Sequence, residues 1–223
     1  MTRTPLKMRT LPPYTRGEDT ANMVTHIIGG ALGISVLVFS VLISAWHKSV
    51  WGIVGGSIYG FSMILLYTVS SVYHGLRPGM GKKVMQVIDH CTIYFLIVGT
   101  YTPILFSAIR PSYPLLAWVV FGAEWGLAAA AAVFTAIDHQ KFAKFSMICY
   151  ICMGWCIILL IKPVLETIGI RGFMYLFAGG FSYTLGAALY GVGSKKPIFH
   201  TVFHVFVDIG SILQACCILF YVL

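Results

Sequence analysis

Charged residues are scarce in this chain. Only 10% of its 223 residues are charged, and just 7 residues are acidic. A soluble globular domain carries about 25% charged residues. So few charges cannot cover a surface that faces water, which excludes a soluble globular protein. Nucleic-acid binding is not expected either, although the net charge is +8, because the basic residues are expected at the surface of a membrane.

Apolar residues are abundant instead. Hydrophobic residues make up 58% of the chain and the mean hydropathy is +0.86, and one membrane span takes roughly 20 apolar residues. Residues 1–21 are predicted to be a flexible basic tail, and residues 22–223 a single membrane domain. The predicted class is an all-α, polytopic integral membrane protein with seven transmembrane helices: Asn22–Ala45, Trp51–Tyr73, Lys83–Phe106, Pro114–Ala136, Phe142–Lys162, Gly172–Gly191 and Ile198–Val222.

Basic residues are distributed unevenly between the two ends of these helices. With seven spans, eleven of the fifteen Lys and Arg residues fall on the side of the tail and four on the other side. Short loops that are rich in Lys and Arg stay in the cytoplasm. We therefore expect a cell-membrane protein with a cytoplasmic N-terminus and an external C-terminus.

Ionisable residues inside membrane spans are costly, so each is a candidate for function. His200 and His204 lie one turn apart at the start of the last helix, and Ser70 and His74 lie one turn apart at the end of the second. Asp89 lies near the start of the third helix. The predicted topology places all five at the same membrane surface.

Three histidines at one depth are a plausible zinc site. Three protein ligands with one open position are typical of catalytic zinc, so we predict that His74, His200 and His204 bind Zn²⁺. Asp89 is the candidate general base for the attacking water, and Ser70 orients a ligand or stabilises an oxyanion. A His pair one turn apart also occurs as ordinary packing, but His74 and Asp89 at the same depth favour the metal.

Four further residues near the start of the first helix belong to the same surface layer. Asn22 and His26 either support the site or fasten the first helix to its neighbours. Glu18 and Asp19 precede them and supply the nearby acidic groups.

Together these motifs resemble the progestin and adipoQ receptor family, in its bacterial hemolysin III branch. The resemblance covers the chain from Glu18 onwards and rests on an acidic-Asn-His element, Ser-x3-His, an Asp that opens the third helix, and His-x3-His: Glu18/Asp19, Asn22, His26, Ser70, His74, Asp89, His200 and His204. It implies zinc bound by His74, His200 and His204, the histidines of the Ser-x3-His and His-x3-His motifs, with Asp89 and Ser70 beside it. It also implies kinship with alkaline ceramidases. Either Glu18 or Asp19 fills the acidic position of the family.

Two other carboxylates lie in apolar segments, and the sequence allows two roles for each. Asp208, one turn beyond His204, is either a supporting group that reaches toward the site or a protonated acid packed in the bundle. Glu124, near the middle of the fourth helix, either serves a proton path or is a hydrogen-bonded structural residue.

The leading functional hypothesis is a zinc-dependent hydrolase that acts on an amide bond of a membrane lipid. The expected partners are membrane lipids, including a lipid substrate in the bundle interior, with no nucleic acid and no protein partner indicated. The alternative is a non-enzymatic protein that senses or adjusts membrane lipid state or energetics, with a structural zinc. A transporter is less favoured because we find no file of acidic residues across the bilayer.

Overall fold

Helices make up nearly all of the computed structural model, which describes residues 3–192 and 198–223. The helices are α1 (Arg16–Trp46), α2 (Val50–Gly75), α3 (Met80–Pro103), α4 (Pro114–Asp138), α5 (Ala143–Trp155), α6 (Ile161–Val192) and α7 (Ile198–Cys217). Short 3₁₀ or π-helical segments at 6–8, 104–109, 156–160 and 218–222 accompany them. No strand occurs in the described ranges, so the predicted all-α class is confirmed.

The helices are suited to lipid rather than water. Within the described part of the chain, six helical segments are long and apolar enough to cross a membrane. Large apolar side chains such as Ile28, Leu115 and Leu159 are 64–82% exposed, which would be unfavourable in water over so many positions. The chain is a multi-pass membrane protein.

The longest apolar segment runs from Ala143 to Gly191, which is 49 residues. Gly169 interrupts it with φ 68° and ψ 175°, a conformation that glycine adopts without steric cost. Trp155 Nε1 donates to Thr184 Oγ1 at 2.9 Å, so the parts before and after Gly169 lie side by side. The sequence predicts a loop over residues 163–171, whereas the chain stays helical there except at Gly169.

The first helix begins earlier than predicted. Thr15 and Glu18 form a capping box, in which Glu18 N donates to Thr15 Oγ1 at 3.2 Å and Thr15 N donates to Glu18 Oε2 at 2.8 Å. This cap satisfies backbone groups that would otherwise lack partners. Helix α1 therefore starts at Arg16, six residues before the predicted start at Asn22.

Glycines bring α1 and α2 close together. A Cβ atom added at Gly60 would lie 2.6 Å from Leu37 Cα, and one added at Gly33 would lie 3.0 Å from Ile64 N. Small residues allow such close backbone approach between membrane helices. This contact fixes the rotation of α1 relative to α2, and with it the direction in which residues near the start of α1 point.

Residues 194–197, predicted to be the loop before the last helix and to carry Lys195 and Lys196, lie outside the described residues.

Candidate metal centre

Three histidines converge at the end of the bundle where α1, α3 and α7 begin and α2 ends. The Nε2 atom of His200 lies 3.3 Å from Nε2 of His74 and 3.0 Å from Nε2 of His204. His200 and His204 are adjacent because one helical turn separates them on α7. The sequence-predicted ligands are therefore brought together.

The spacing fits a metal ion. Two nitrogen ligands at about 2.0–2.1 Å from a tetrahedral Zn²⁺ are about 3.3 Å apart. One ligand atom from each of the three histidines lies within 4.8 Å of the others. Among the described residues, this group contains three side chains, which leaves a fourth coordination position without a protein ligand.

Asp19 orients one of the three imidazoles. Its Oδ1 lies 3.0 Å from Nδ1 of His74, and its Oδ2 accepts from Lys82 Nζ at 2.6 Å. An acceptor at Nδ1 keeps the proton on that nitrogen, which leaves the Nε2 lone pair free for a metal. Asp19, rather than Glu18, is therefore the acidic side chain that contacts His74, whereas Glu18 belongs to the helix cap.

Asn22 and His26 fasten α1 to α7, and both are buried. Asn22 Oδ1 accepts from the Thr201 hydroxyl at 2.6 Å. The His26 ring stacks on His204 with a centroid distance of 3.7 Å and an interplanar angle of 12°. Both residues thus hold the ligand helix in place.

Asp89 and Ser70 lie beside the histidines without joining the group of three. Both line the same cavity as His200 and His204. Asp89 Oδ2 is also 3.9 Å from Nδ1 of His90. A carboxylate, a hydroxyl and two of the three histidines, His200 and His204, therefore share one polar pocket.

That pocket is the polar end of an apolar cavity of about 200 Å³. The cavity runs between α3, α5, α6 and α7. Its walls include Leu96, Ile151, Phe177 and Val207. A space with one polar end and an apolar body suits a molecule with a polar head and a hydrocarbon chain.

Neither Asp208 nor Glu124, the two remaining carboxylates in apolar segments, belongs to the group of three histidines. Asp208 neighbours Tyr67, whose hydroxyl donates to Ser211 Oγ at 2.6 Å. Tyr183 also hydrogen-bonds Ser211, at 2.8 Å, whereas the buried Oδ1 of Asp208 has no hydrogen-bond partner among the described residues. Glu124 is buried beside Cys156 and is not among the residues that line the cavity.

Two residues of this region were not anticipated from the sequence. Lys82 is buried and holds Asp19; its seven-residue spacing from Asp89 places both on one face of α3, which is a signal the sequence contained. Tyr14 stacks on His200 with ring centroids 5.0 Å apart and an interplanar angle of 24°. Burial, with smaller contributions from neighbouring Tyr190 and Tyr73, raises the pKa of the Tyr14 hydroxyl above its ordinary value. No motif in the sequence pointed to Tyr14.

Comparison with known proteins identifies the family. The family model described as haemolysin-III related matches residues 14–215. The chain belongs to the haemolysin-III related family. It is 37% identical to Hemolysin-3 of Bacillus cereus over 97% of both chains, and 37% identical to the Hemolysin-3 homolog of Bacillus subtilis (strain 168) over 93% of this chain and 96% of that relative. The human monocyte to macrophage differentiation factor is 26% identical over 85% of this chain and 78% of its own length.

The predicted resemblance to the bacterial hemolysin III branch is thus confirmed. The matched haemolysin-III related region includes Tyr14, Asp19 and all three histidines. It ends after Asp208, so the whole candidate metal centre lies within the family domain.

Proposed function

We propose that this protein is a zinc-dependent, membrane-embedded hydrolase that cleaves an amide bond of a lipid. The observation that carries the proposal is the convergence of three histidine Nε2 atoms at 3.0 and 3.3 Å, with His200 and His204 lining the same largely apolar cavity as Asp89. The histidines supply three nitrogen ligands and leave one position open, which is typical of catalytic rather than structural zinc sites.

Each residue then has a chemical role. Zn²⁺, when bound, polarises a carbonyl and lowers the pKa of water to about 7. Asp89 takes the proton of the attacking water and returns it to the leaving amine. Ser70, which lines the same cavity as Asp89, orients a ligand or stabilises an oxyanion. Asp19 keeps His74 in the tautomer that can bind a metal.

The cavity determines which substrates fit. Membrane lipids are the proposed partners, because the apolar walls accept an acyl chain while the polar linkage remains near the histidines. An amide is proposed because a general acid that protonates the departing nitrogen is essential for that bond, and Asp89 is the residue proposed for this role.

We further propose seven membrane crossings with the metal centre at the cytoplasmic face of the cell membrane. The segment Ala143–Gly191 would be about 73 Å long as one straight helix, more than twice the thickness of the hydrocarbon core, about 30 Å. The non-helical Gly169 and the contact of Trp155 with Thr184 support two antiparallel crossings. An odd number of crossings places the termini on opposite sides, and the excess of Lys and Arg favours a cytoplasmic N-terminus.

The test combines metal analysis with turnover. Purified protein and the variants His204→Ala and Asp89→Asn are analysed for bound metal, and then assayed against a panel of lipid amides and esters in mixed micelles. His47→Ala is the matched control, because His47 is exposed and lies in the loop between α1 and α2. We expect zinc in the parent and in His47→Ala, and its loss in His204→Ala.

The variant Asp89→Asn tests whether the zinc is catalytic or structural. We expect it to keep zinc and to lose turnover by roughly 10²–10⁴-fold, the contribution of a general base. A parent protein without zinc, or Asp89→Asn with full turnover, would overturn the hydrolase. Zinc without turnover of any lipid would favour the sensing role with a structural metal.

A further inference from the structure

An N-terminal segment (residues 3–15) crosses the end of the bundle above the metal centre. The sequence predicts a flexible tail there, but the segment makes specific contacts with α3 and with the loop after α4. Lys83 Nζ, at the start of α3, donates to the carbonyl of Lys7 at 2.7 Å. Gln140, in the loop after α4, donates to the carbonyl of Thr10 at 2.8 Å.

Arg9 is the strongest of these anchors. Its side chain is only 1% exposed, although it carries a charge. It donates to the carbonyl of Ile137 at 2.6 Å and contacts His139 Nδ1 at 3.3 Å and an Asp138 carboxylate oxygen at 3.8 Å. A buried guanidinium is stable only when its donors find acceptors. Arg9 therefore fastens the segment to the loop after α4.

Tyr14 lies at the other end of the segment, directly against the ligand histidines. Its ring is stacked on His200 at 5.0 Å and is tilted against His74 at 5.7 Å. Tyr14 thus covers one face of the His200 imidazole and contacts the His74 imidazole in a tilted arrangement. The capping box at Thr15 fixes the backbone immediately after Tyr14.

We propose that Tyr14 is a further positioning residue of the metal centre, which shields His74 and His200 from water and holds their rings in the ligating orientation, with Arg9 keeping the N-terminal segment closed. This inference rests on the metal centre of the proposed function. It assigns a role to a segment outside the predicted membrane helices. With the aqueous side covered in this way, a lipid reaches the histidines through the apolar cavity.

In this proposal the aromatic ring of Tyr14, rather than its hydroxyl, shields the histidines. The contacts of Tyr14 with the two histidines are between ring faces and edges, and phenylalanine preserves such contacts. Tyr14→Phe should therefore behave like the parent, whereas Tyr14→Ala should expose the site.

The experiment measures access to the histidines directly. Full-length protein is stripped of metal and treated with diethyl pyrocarbonate, and modification of each histidine is followed by mass spectrometry. His47, which is exposed, serves as the internal reference in every sample. Met8→Ala is the matched control on the same segment, because Met8 is 74% exposed.

We expect His74 and His200 to react about tenfold faster in Tyr14→Ala, the upper range of what one aromatic contact contributes to an opening equilibrium. Arg9→Ala should show a similar increase, while Tyr14→Phe and Met8→Ala should match the parent. The double variant Tyr14→Ala/Arg9→Ala should react no faster than the faster single variant, because both changes open the same segment. In zinc-loaded samples, the variants whose histidines react faster should also lose zinc to EDTA faster than the parent.

Unchanged reactivity of His74 and His200 in Tyr14→Ala would overturn the proposal, as would equal acceleration in Tyr14→Phe. Strictly additive effects in the double variant would also overturn the link between Arg9 and Tyr14. The modification assay needs no metal. A parent that retains no zinc but shows the expected reactivity pattern would therefore refute the metal centre and still support the shielding by Tyr14.

Discussion

Replacing Asp19 by asparagine tests whether the charge of this carboxylate supports the candidate metal centre. The carboxylate has two partners, His74 Nδ1 at 3.0 Å and Lys82 Nζ at 2.6 Å. Asparagine has the same shape but is neutral and offers one acceptor oxygen, so it cannot serve both. Loss of a hydrogen-bond partner of a metal-ligating histidine costs 10–100-fold in metal affinity, or about 1.4–2.7 kcal/mol.

The same change also weakens folding. Lys82 is 3% exposed and loses its only carboxylate partner among the described residues, while Asp19 is 19% exposed. Removing one member of a fully buried ion pair costs about 3–5 kcal/mol, and the partial exposure of Asp19 reduces this to about 1–3 kcal/mol. Lys82→Met in the Asp19→Asn background should therefore restore stability without restoring metal affinity.

Glu18→Gln is the matched control for Asp19→Asn. It removes the same charge from the neighbouring residue, and glutamine can still complete the capping box with Thr15. The assay is competition for zinc against a chelator of known affinity, together with thermal unfolding. Parent-like zinc affinity in Asp19→Asn would refute the reasoning, and so would an equal loss in Glu18→Gln.

Two further predictions address packing and pH. Gly60→Ala should destabilise the fold by about 1–3 kcal/mol, because its Cβ would lie 2.6 Å from Leu37 Cα. At Gly122 an added Cβ atom would have no atom of another helix within 4 Å, so Gly122→Ala should leave stability unchanged or raise it by up to about 1 kcal/mol. Thermal unfolding of the two variants in detergent tests this difference, and equal effects would contradict the packing argument. Burial lowers the pKa of His139 from 6.5 to about 4. The neighbouring His90 and Arg9 contribute to this decrease, and the Asp138 carboxylate opposes it. The unfolded chain therefore takes up a proton between those values that the folded chain does not, so this contribution to stability is complete above pH 6.5 and is lost as the pH falls toward 4. His139→Gln should flatten the dependence of the unfolding temperature on pH in that window, and an unchanged slope would exclude His139 as its source.

Much of the site could be predicted because its signals are local. Hydropathy marks a membrane helix without reference to the rest of the chain. The one-turn spacing of His200 and His204 places them on one face of any helix. His74 and Asp89 follow once the ends of α2 and α3 are assigned to the same surface. The capping box at Thr15 and Glu18 was also readable, since Thr-x-x-Glu is a recognisable helix start. Its recognition would have moved the start of α1 to Arg16.

The sequence by itself determined the helical class and the identity of the three histidines that converge. Only the tertiary structure decided that Asp19, rather than Glu18, contacts His74. Neighbouring residues on a helix point about 100° apart. Which of the two faces the site depends on the rotation of α1, and this rotation is set by its glycine contacts with α2. The position of Tyr14 likewise depends on Arg9 meeting the loop after α4, a contact between residues about 130 positions apart that no local pattern encodes.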